Sequence, residues 1–210
     1  MMSRTIALIP AAGKSSRMGK PKLGLPLGDR SILECVLDAM KQAGIANRLV
    51  VVGPQAVELA ELAEKAGADV LRLAEDTPDM QATVLQGLAW LETQLHPGPD
   101  DSWLLMPADH PTLNPAVVTE LLKARSEHPD QTIFIPTHAG QRGHPALIAW
   151  KLVADLRRWP AGQGLNRFLR EHAGQTCECP LNDPEILCDL DTPQDYQHLL
   201  ERFRSQHRIP

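Results

Sequence analysis

The stretch Thr5-Ile6-Ala7-Leu8-Ile9-Pro10-Ala11-Ala12-Gly13-Lys14-Ser15-Ser16-Arg17-Met18-Gly19-Lys20-Pro21-Lys22-Leu23 joins an apolar run to a loop crowded with positive charge. Thr5 to Ile9 reads as a buried strand, a short continuous apolar run that ends at a proline. The loop then carries four cations, Lys14, Arg17, Lys20 and Lys22, and no acid follows until Asp29. The whole chain of 210 residues has a formal net charge of -5. A cationic loop inside an acidic chain calls for an anion to hold. Gly13 and Gly19 let the backbone approach that anion and turn its N–H groups inward. A strand feeding a glycine-rich basic loop is where α/β sheets hold the phosphates of a nucleotide.

With the first strand at 5–11, apolar runs of strand length recur outward at 48–53, 68–73, 102–107, 132–136 and 145–150, with a further short pair around 177–190. Between them the pattern predicts helices near 31–43, 55–66, 80–95, 115–127, 163–172 and 193–205. Ser31 with Glu34 forms a capping box, and Gly44 closes the same helix. Asn114 before Pro115 and Thr192 before Pro193 each place a capping residue ahead of a first-turn proline. The last helix gathers Tyr196, Leu199, Leu200 and Phe203 on one face. This alternation predicts an α/β fold: three-layer αβα, Rossmann-like, a mostly parallel sheet of about seven strands with helices on both faces. Segments 96–101 and 138–144 read as loops rather than linkers, so residues 1–210 are expected to form a single domain. In such sheets, sites form at the carboxyl ends of the strands.

Composition excludes several classes. No apolar run is long enough to span a membrane. The acidic balance leaves no broad basic face for nucleic acid. Met1-Met2-Ser3-Arg4 before an apolar stretch imitates a signal peptide, but that stretch runs straight into Gly13-Lys14 with no polar cleavage region. The four cysteines, Cys35, Cys177, Cys179 and Cys188, match no standard zinc spacing even with His172 added, and read as reduced thiols of a cytoplasmic protein. The four tryptophans, Trp90, Trp103, Trp150 and Trp159, read as packing residues. His96, His128, His138, His198 and His207 read as surface positions.

The phosphate loop is of neither common kind. A P-loop needs four residues between its glycines and a hydroxyl after its lysine; Gly13 to Gly19 encloses five, and Pro21 stands at the hydroxyl position. The dinucleotide fingerprint Gly-x-Gly-x-x-Gly is absent. Two acids complete the picture. Asp109 follows directly on Leu104-Leu105-Met106-Pro107-Ala108, and Asp191 stands just before the helix that starts at Pro193. Each alone also suits a bland role, Asp109 as a turn residue before Pro111 and Asp191 or Thr192 as a helix cap. Together, beside a basic phosphate loop, they suit one Mg²⁺, which takes one or two carboxylates and completes its octahedron with phosphate and water.

The run Ala11 to Leu23 resembles the signature loop of the MobA-like nucleotidyltransferases. Arg142-Gly143-His144-Pro145 and Asp189-Leu190-Asp191-Thr192-Pro193 are similar to the branch containing molybdenum cofactor cytidylyltransferase, and the likeness extends from residue 5 to about residue 200. The resemblance implies a nucleotide-diphospho-sugar transferase-like fold and a single nucleotidyltransferase domain. It implies transfer of a nucleoside monophosphate, most readily CMP from CTP, to a phosphorylated small-molecule acceptor of the molybdopterin type, with release of pyrophosphate. By position, Ala11, Ala12, Gly13, Lys14, Ser15, Ser16 and Arg17 would cradle the triphosphate, with Arg17 and Lys22 catalytic and Lys22 on the α-phosphate. Asp109 and Asp191 would hold Mg²⁺, or Mn²⁺ in its place. Gln81 and Thr83 would lie near base and ribose, Arg142 and His144 would face the acceptor, and His110 would support Asp109. The chain departs from that branch at Pro10, Gln81, Thr83, Ala108 and 163–166. The alternatives are the same chemistry on a sugar phosphate or another phosphorylated alcohol, guanylyl transfer, and a non-catalytic carrier of molybdenum cofactor. A transient contact with a molybdoenzyme that receives the product is also implied, and neither nucleic acid nor membrane is an expected partner.

Overall fold

The computed structural model, which describes residues 3–13, 18–19 and 21–206, turns the opening apolar run into the middle of a sheet. In chain order the elements are β1 (Thr5–Ala11), β2 (Pro26–Leu27), β3 (Arg30–Ser31), α1 (Ile32–Gln42), β4 (Asn47–Val52), α2 (Val57–Lys65), β5 (Asp69–Arg72), α3 (Met80–Leu95) and β6 (Ser102–Leu105). They continue as α4 (Pro115–Glu127), β7 (Ile133–His138), β8 (Gln141–Arg142), β9 (Ala146–Ala149), α5 (Val153–Arg158), α6 (Leu165–Glu171), β10 (Thr176–Pro180) and α7 (Pro193–Gln206). The sheet runs β10-β7-β9-β6-β1-β4-β5, with β8 paired to β7. β1 pairs in parallel with β4 and β6, β4 with β5, and β7 with β10; β9 lies antiparallel between β6 and β7.

β1 shows why both faces are covered. Ala7, Ile9 and Ala11 enter one core with Val36 and Leu37 of α1, Leu121 of α4 and Leu199 of α7. Ile6 and Leu8 enter the other with Leu88 of α3, Leu156 of α5 and Phe168 of α6. A strand apolar at every position needs a helical layer on each side, and this yields the mixed, mostly parallel three-layer arrangement. Trp103 and Trp150 are buried in the second core, and Trp90 and Trp159 pack against it. Among the described residues no helix is long and apolar enough to cross a membrane.

The helix ends follow local chemistry. Ser31 Oγ accepts from the Glu34 amide at 3.3 Å, and the Ser31 amide donates to Glu34 Oε2 at 2.7 Å, a complete capping box. Asn114 Oδ1 accepts from the Ala116 amide at 3.0 Å. Thr192 and Asp195 cap α7 reciprocally: the Asp195 amide donates to Thr192 Oγ1 at 3.2 Å and the Thr192 amide to Asp195 Oδ2 at 2.7 Å.

Several elements differ from expectation. The short pair expected around 177–190 yields one strand, β10, followed by a 3₁₀ turn at Pro184–Leu187. Pro184 has no amide to donate to a ladder, and Asp183 Oδ1 accepts from the Glu185 amide at 3.0 Å, which starts the turn instead. The helix expected at 163–172 begins at Leu165, because Gly164 has φ +73 and turns the chain before it. The hairpin β2–β3, the strand β8 within the expected 138–144 loop, and helix α5 differ from the sequence reading; strands of two residues and a helix of six carry too little periodicity to read.

That hairpin matters for the site. Gly28, at φ +68, turns it, and its missing Cβ leaves room for the Phe203 ring of α7, which a side-chain carbon there would meet at 2.7 Å. The Tyr196 hydroxyl of α7 donates to the Pro26 carbonyl oxygen at 2.6 Å. The last helix therefore grips the segment that follows the signature loop. Tyr196→Phe removes this bond and keeps the ring, so it is expected to cost about 1 kcal/mol. Thermal unfolding should register this as a drop of roughly 2–4 °C.

Candidate active site

The carboxyl ends of β1 and β6 open onto a cleft of about 710 Å³. Residues 10–13 line it at the end of β1, residues 76–80 with Thr83 on the side of β5, and Ala108, Asp109, His110, His144, Asp189 and Asp191 on the side of β6. β6 delivers Asp109 through Met106, whose amide donates to the Leu8 carbonyl of β1 at 3.1 Å. The Leu190 amide donates to the Asp109 carbonyl at 3.0 Å and draws in the C-terminal segment. Asp191 is fixed by its own amide, which donates to Asp195 Oδ2 at 3.1 Å beneath the α7 cap.

Lys22 joins the two acids. Its Nζ donates to Asp109 Oδ2 at 2.7 Å, to Asp191 Oδ1 at 3.1 Å and to the Leu190 carbonyl at 2.6 Å. Burial works against its charge, but the two carboxylates outweigh it and hold the ammonium's pKa above the ordinary lysine value. Asp189 sits close by, and its carboxyl is pushed up by burial and by the like charges of Asp191 and Asp109. Three acids with one lysine among them form a concentrated, hard-oxygen patch.

His110 and His144 pack behind the acids, ring centroids 5.1 Å apart and nearly edge-on. His110 Nε2 lies 3.9 Å from Asp109 Oδ1, and burial lowers the His110 pKa although the Asp109 charge pulls the other way. His144 is lowered to about 4 by burial and by the His110 ring. Nδ1 of each ring is buried and meets no hydrogen-bond partner among the described residues. Neutral imidazoles fit that environment, because burial penalises a charge there by more than Asp109 favours it. Between pH about 6.5 and about 4 the unfolded chain binds a proton at this position and the folded one does not. Stability is therefore expected to fall as the pH drops through that window, by up to about 3 kcal/mol from His144. Melting temperatures at pH 7.5 and pH 5 check this, and His144→Gln should flatten the decline.

The sequence-derived candidates divide. Ala11, Ala12, Gly13, Lys22, Thr83, Asp109, His144 and Asp191 line the cleft. Lys14, Ser15, Ser16 and Arg17 lie outside the described residues. Gln81 and Arg142 are not brought to the cleft. The Gln81 side chain is 3% exposed and faces the other way. It donates to the Trp159 and Pro160 carbonyls at 3.3 and 3.4 Å and accepts from the Gly164 amide at 3.3 Å, stapling α3 to that loop. Arg142 is exposed on β8 and pairs with Glu178 of β10, Nε to Oε1 2.8 Å. Lys22, expected against a phosphate, is clasped by the acids.

Sequence reasoning missed the wall at 76–80 and the nearness of Asp189. One signal was present: Asp79 caps α3, accepting from the Ala82 amide at 2.8 Å, so Thr77-Pro78-Asp79 marks a helix start at a strand's carboxyl side. Thr77 Oγ1 and Thr83 Oγ1 lie 2.5 Å apart on this wall, and Thr83 Oγ1 donates to the Asp79 carbonyl at 3.2 Å.

The carboxylate oxygens of Asp109 and Asp191 are hard donors, which suit a hard divalent cation. Among the described residues no group of three or more His, Cys, Asp and Glu side chains is arranged to hold a metal. A dication at Asp109 and Asp191 would thus draw further ligands from substrate and water, as Mg²⁺ sites commonly do.

The sequence model of the MobA-like NTP transferase domain matches residues 7–176. The chain belongs to the MobA-like NTP transferase family. Asp191 and α7 lie beyond the matched residues. The chain is similar to molybdenum cofactor cytidylyltransferase of Escherichia coli K12, 25% identical over 204 residues, covering 96% of this chain and 98% of that protein. It is similar to molybdenum cofactor guanylyltransferase of Rhizobium meliloti 1021, 31% identical over 184 residues, covering 83% of this chain and 78% of that protein. Among solved structures it superposes on the Rv0371c protein of Mycobacterium tuberculosis H37Rv with a TM-score of 0.77 at 26% identity, covering 96% of this chain and 99% of that one. That mycobacterial protein is also known as a manganese complex. This MobA-like NTP transferase is accordingly a nucleotidyltransferase.

Proposed function

We propose that this MobA-like transferase, acting as one domain in the cytoplasm, moves CMP from CTP to the phosphate of a molybdopterin-type cofactor. One arrangement carries the reading: Lys22, Asp109 and Asp191 meet at the carboxyl ends of β1 and β6, in a nucleotide-sized cleft. An oxygen of the acceptor's phosphate monoester attacks the α-phosphorus of the triphosphate. The bond from that phosphorus to the bridging β-oxygen breaks, a diphosphate link forms, and pyrophosphate leaves. No protein nucleophile is required, so the work is positioning and charge compensation.

Charge sets the barrier. Two unit charges about 4 Å apart repel by roughly 4 kcal/mol at an effective dielectric of 20, and two phosphate groups bring several such pairs. In this reading Lys14 and Arg17 with Ser15, Ser16 and the 11–13 backbone hold the triphosphate, and Lys22 turns to the α-phosphate where charge builds. Asp109 and Asp191 hold Mg²⁺, with Mn²⁺ as its substitute; the dication supplies Lewis-acid stabilisation of phosphoryl oxygens. His144, neutral at physiological pH because its pKa is lowered to about 4, offers the acceptor a hydrogen bond rather than a charge. The Thr77–Thr83 hydroxyl pair and the 76–80 wall lie where a base and ribose would pack. Gln81 and Arg142 act on the framework.

CTP is favoured by likeness to the Escherichia coli cytidylyltransferase over nearly its whole length. Guanylyl transfer is the second reading, favoured by the 31% identity to the Rhizobium enzyme. The product would pass to a molybdoenzyme through a transient contact. Pure protein given each NTP in turn, Mg²⁺ and molybdenum cofactor is expected to release pyrophosphate with CTP. Release with GTP alone selects the second reading. Release with none of the four removes both readings, and a panel of sugar phosphates then tests another acceptor.

A further inference from the structure

We propose that Lys22 is the internal counter-ion which a divalent metal must displace, so that this one side chain couples metal binding to triphosphate binding. The inference rests on the assignment of Asp109 and Asp191 as the metal pair. Both carboxylates touch the same nitrogen, at 2.7 and 3.1 Å, and the Leu190 carbonyl touches it at 2.6 Å. An ammonium has three N–H donors, and these oxygens suffice to take them. A dication bound by both acids, at the short distances that Mg²⁺ demands, needs the space that the ammonium fills. The two cations also repel one another, so they exclude each other from the acids.

Hydrogen bonds pin the backbone around the pair, whereas a lysine ammonium stands on a stem of four rotatable carbons. The Leu25 amide donates to the Lys22 carbonyl at 3.1 Å and the Leu33 amide to the Leu23 carbonyl at 3.0 Å, which fixes the backbone on which Lys22 stands. Asp109 and Asp191 are held through the Leu190 amide and through Asp195. Movement of the ammonium is therefore rotation of a four-carbon stem toward the adjoining cleft wall at 11–13. A polyphosphate in the cleft gives the ammonium a new anionic partner there. Metal and triphosphate each favour the arrangement in which Lys22 has left the acids, and by linkage each raises the affinity of the other. A metal ion arriving alone displaces the lysine with nothing offered in return. Entry as the metal–nucleotide complex is then the favoured route.

The test measures Mn²⁺ binding, by calorimetry and by the loss of the free-ion electron paramagnetic resonance signal, rather than turnover. Wild type, Lys22→Met and Lys22→Gln are each titrated alone and with an unreactive α,β-methylene analogue of CTP. Both variants are expected to bind Mn²⁺ alone at least tenfold more tightly than wild type. The analogue should raise Mn²⁺ affinity less in the variants than in wild type. Without the ammonium the acids repel, so Mn²⁺ should also raise the melting temperature of the variants more than that of wild type. Folded Lys22 variants that bind Mn²⁺ no more tightly than wild type overturn the coupling. Adding Asp109→Asn to Lys22→Met separates the two assignments: Mn²⁺ binding that survives this change overturns the metal pair itself, whatever Lys22 does.

Discussion

Asp109→Asn is expected to lower the rate of pyrophosphate release by about a thousandfold while leaving the protein folded. Removing a fixed charge or donor that faces developing transition-state charge commonly costs about 3–4 kcal/mol of barrier. The change is nearly isosteric, and the amide oxygen can still accept from Lys22, whose Nζ lies 2.7 Å from Asp109 Oδ2. What is lost is one of the two negative charges proposed to hold the dication. The folded state gains as well as loses: Asp189 and Asp191 crowd the same side of the cleft, and the Asp189 carboxyl is pushed up by burial and by those neighbours. Relief of that repulsion offsets part of the weakened lysine contact, so the stability change should stay within about 1 kcal/mol. Steady-state rates and melting curves of the same preparation check both halves. A variant keeping more than a tenth of the wild-type rate removes Asp109 from the chemistry.

The legible parts of this molecule were those written in neighbouring residues. β1 is apolar at every position from Ile6 to Ile9, so a strand buried on both faces followed without further information. Ser31 and Glu34 are three apart, and their reciprocal bonds need nothing distant. Asp109 could be placed at the sheet's active edge because it follows a strand; Asp191 follows the Pro184–Leu187 turn instead, and its nearness to Asp109 runs through the Leu190 amide. The direction of a side chain was not legible in this way. Gln81 occupies its expected place on α3, but its partners lie about 80 residues further on, in the 159–164 loop. Arg142 of β8 pairs instead with Glu178, which β10 brings alongside β7. Both outcomes depend on which loop crosses which, and local propensity carries no information about that.

Gly143 shows how closely the loop leading to His144 is fitted, and Gly143→Ala is expected to damage stability and turnover together. Its amide donates to the Pro136 carbonyl at 2.8 Å, and the next amide, of His144, donates to the Ile186 carbonyl at 2.9 Å. The loop is thus stitched to β7 on one side and to the Pro184–Leu187 turn on the other. A Cβ on residue 143 would lie 2.5 Å from the Ile186 carbonyl oxygen and 2.6 Å from its Cγ1. The nearest obstacle is backbone, which cannot rotate aside as a side chain can. Relief requires the turn to move away, and that turn leads through Cys188 and Asp189 into Leu190 and Asp191. Overpacking of this kind costs about 1–3 kcal/mol, and displacement of a reacting group by about 1 Å can cost roughly a hundredfold in rate. Gly174→Ala is the matched control, since nothing lies within 4 Å of its Cβ position. Melting temperature and pyrophosphate release should both fall for Gly143→Ala and neither for Gly174→Ala. Wild-type values of both for Gly143→Ala would mean that the turn yields without carrying Asp191 with it, and the 142–145 loop would then be mechanically independent of the carboxylate pair.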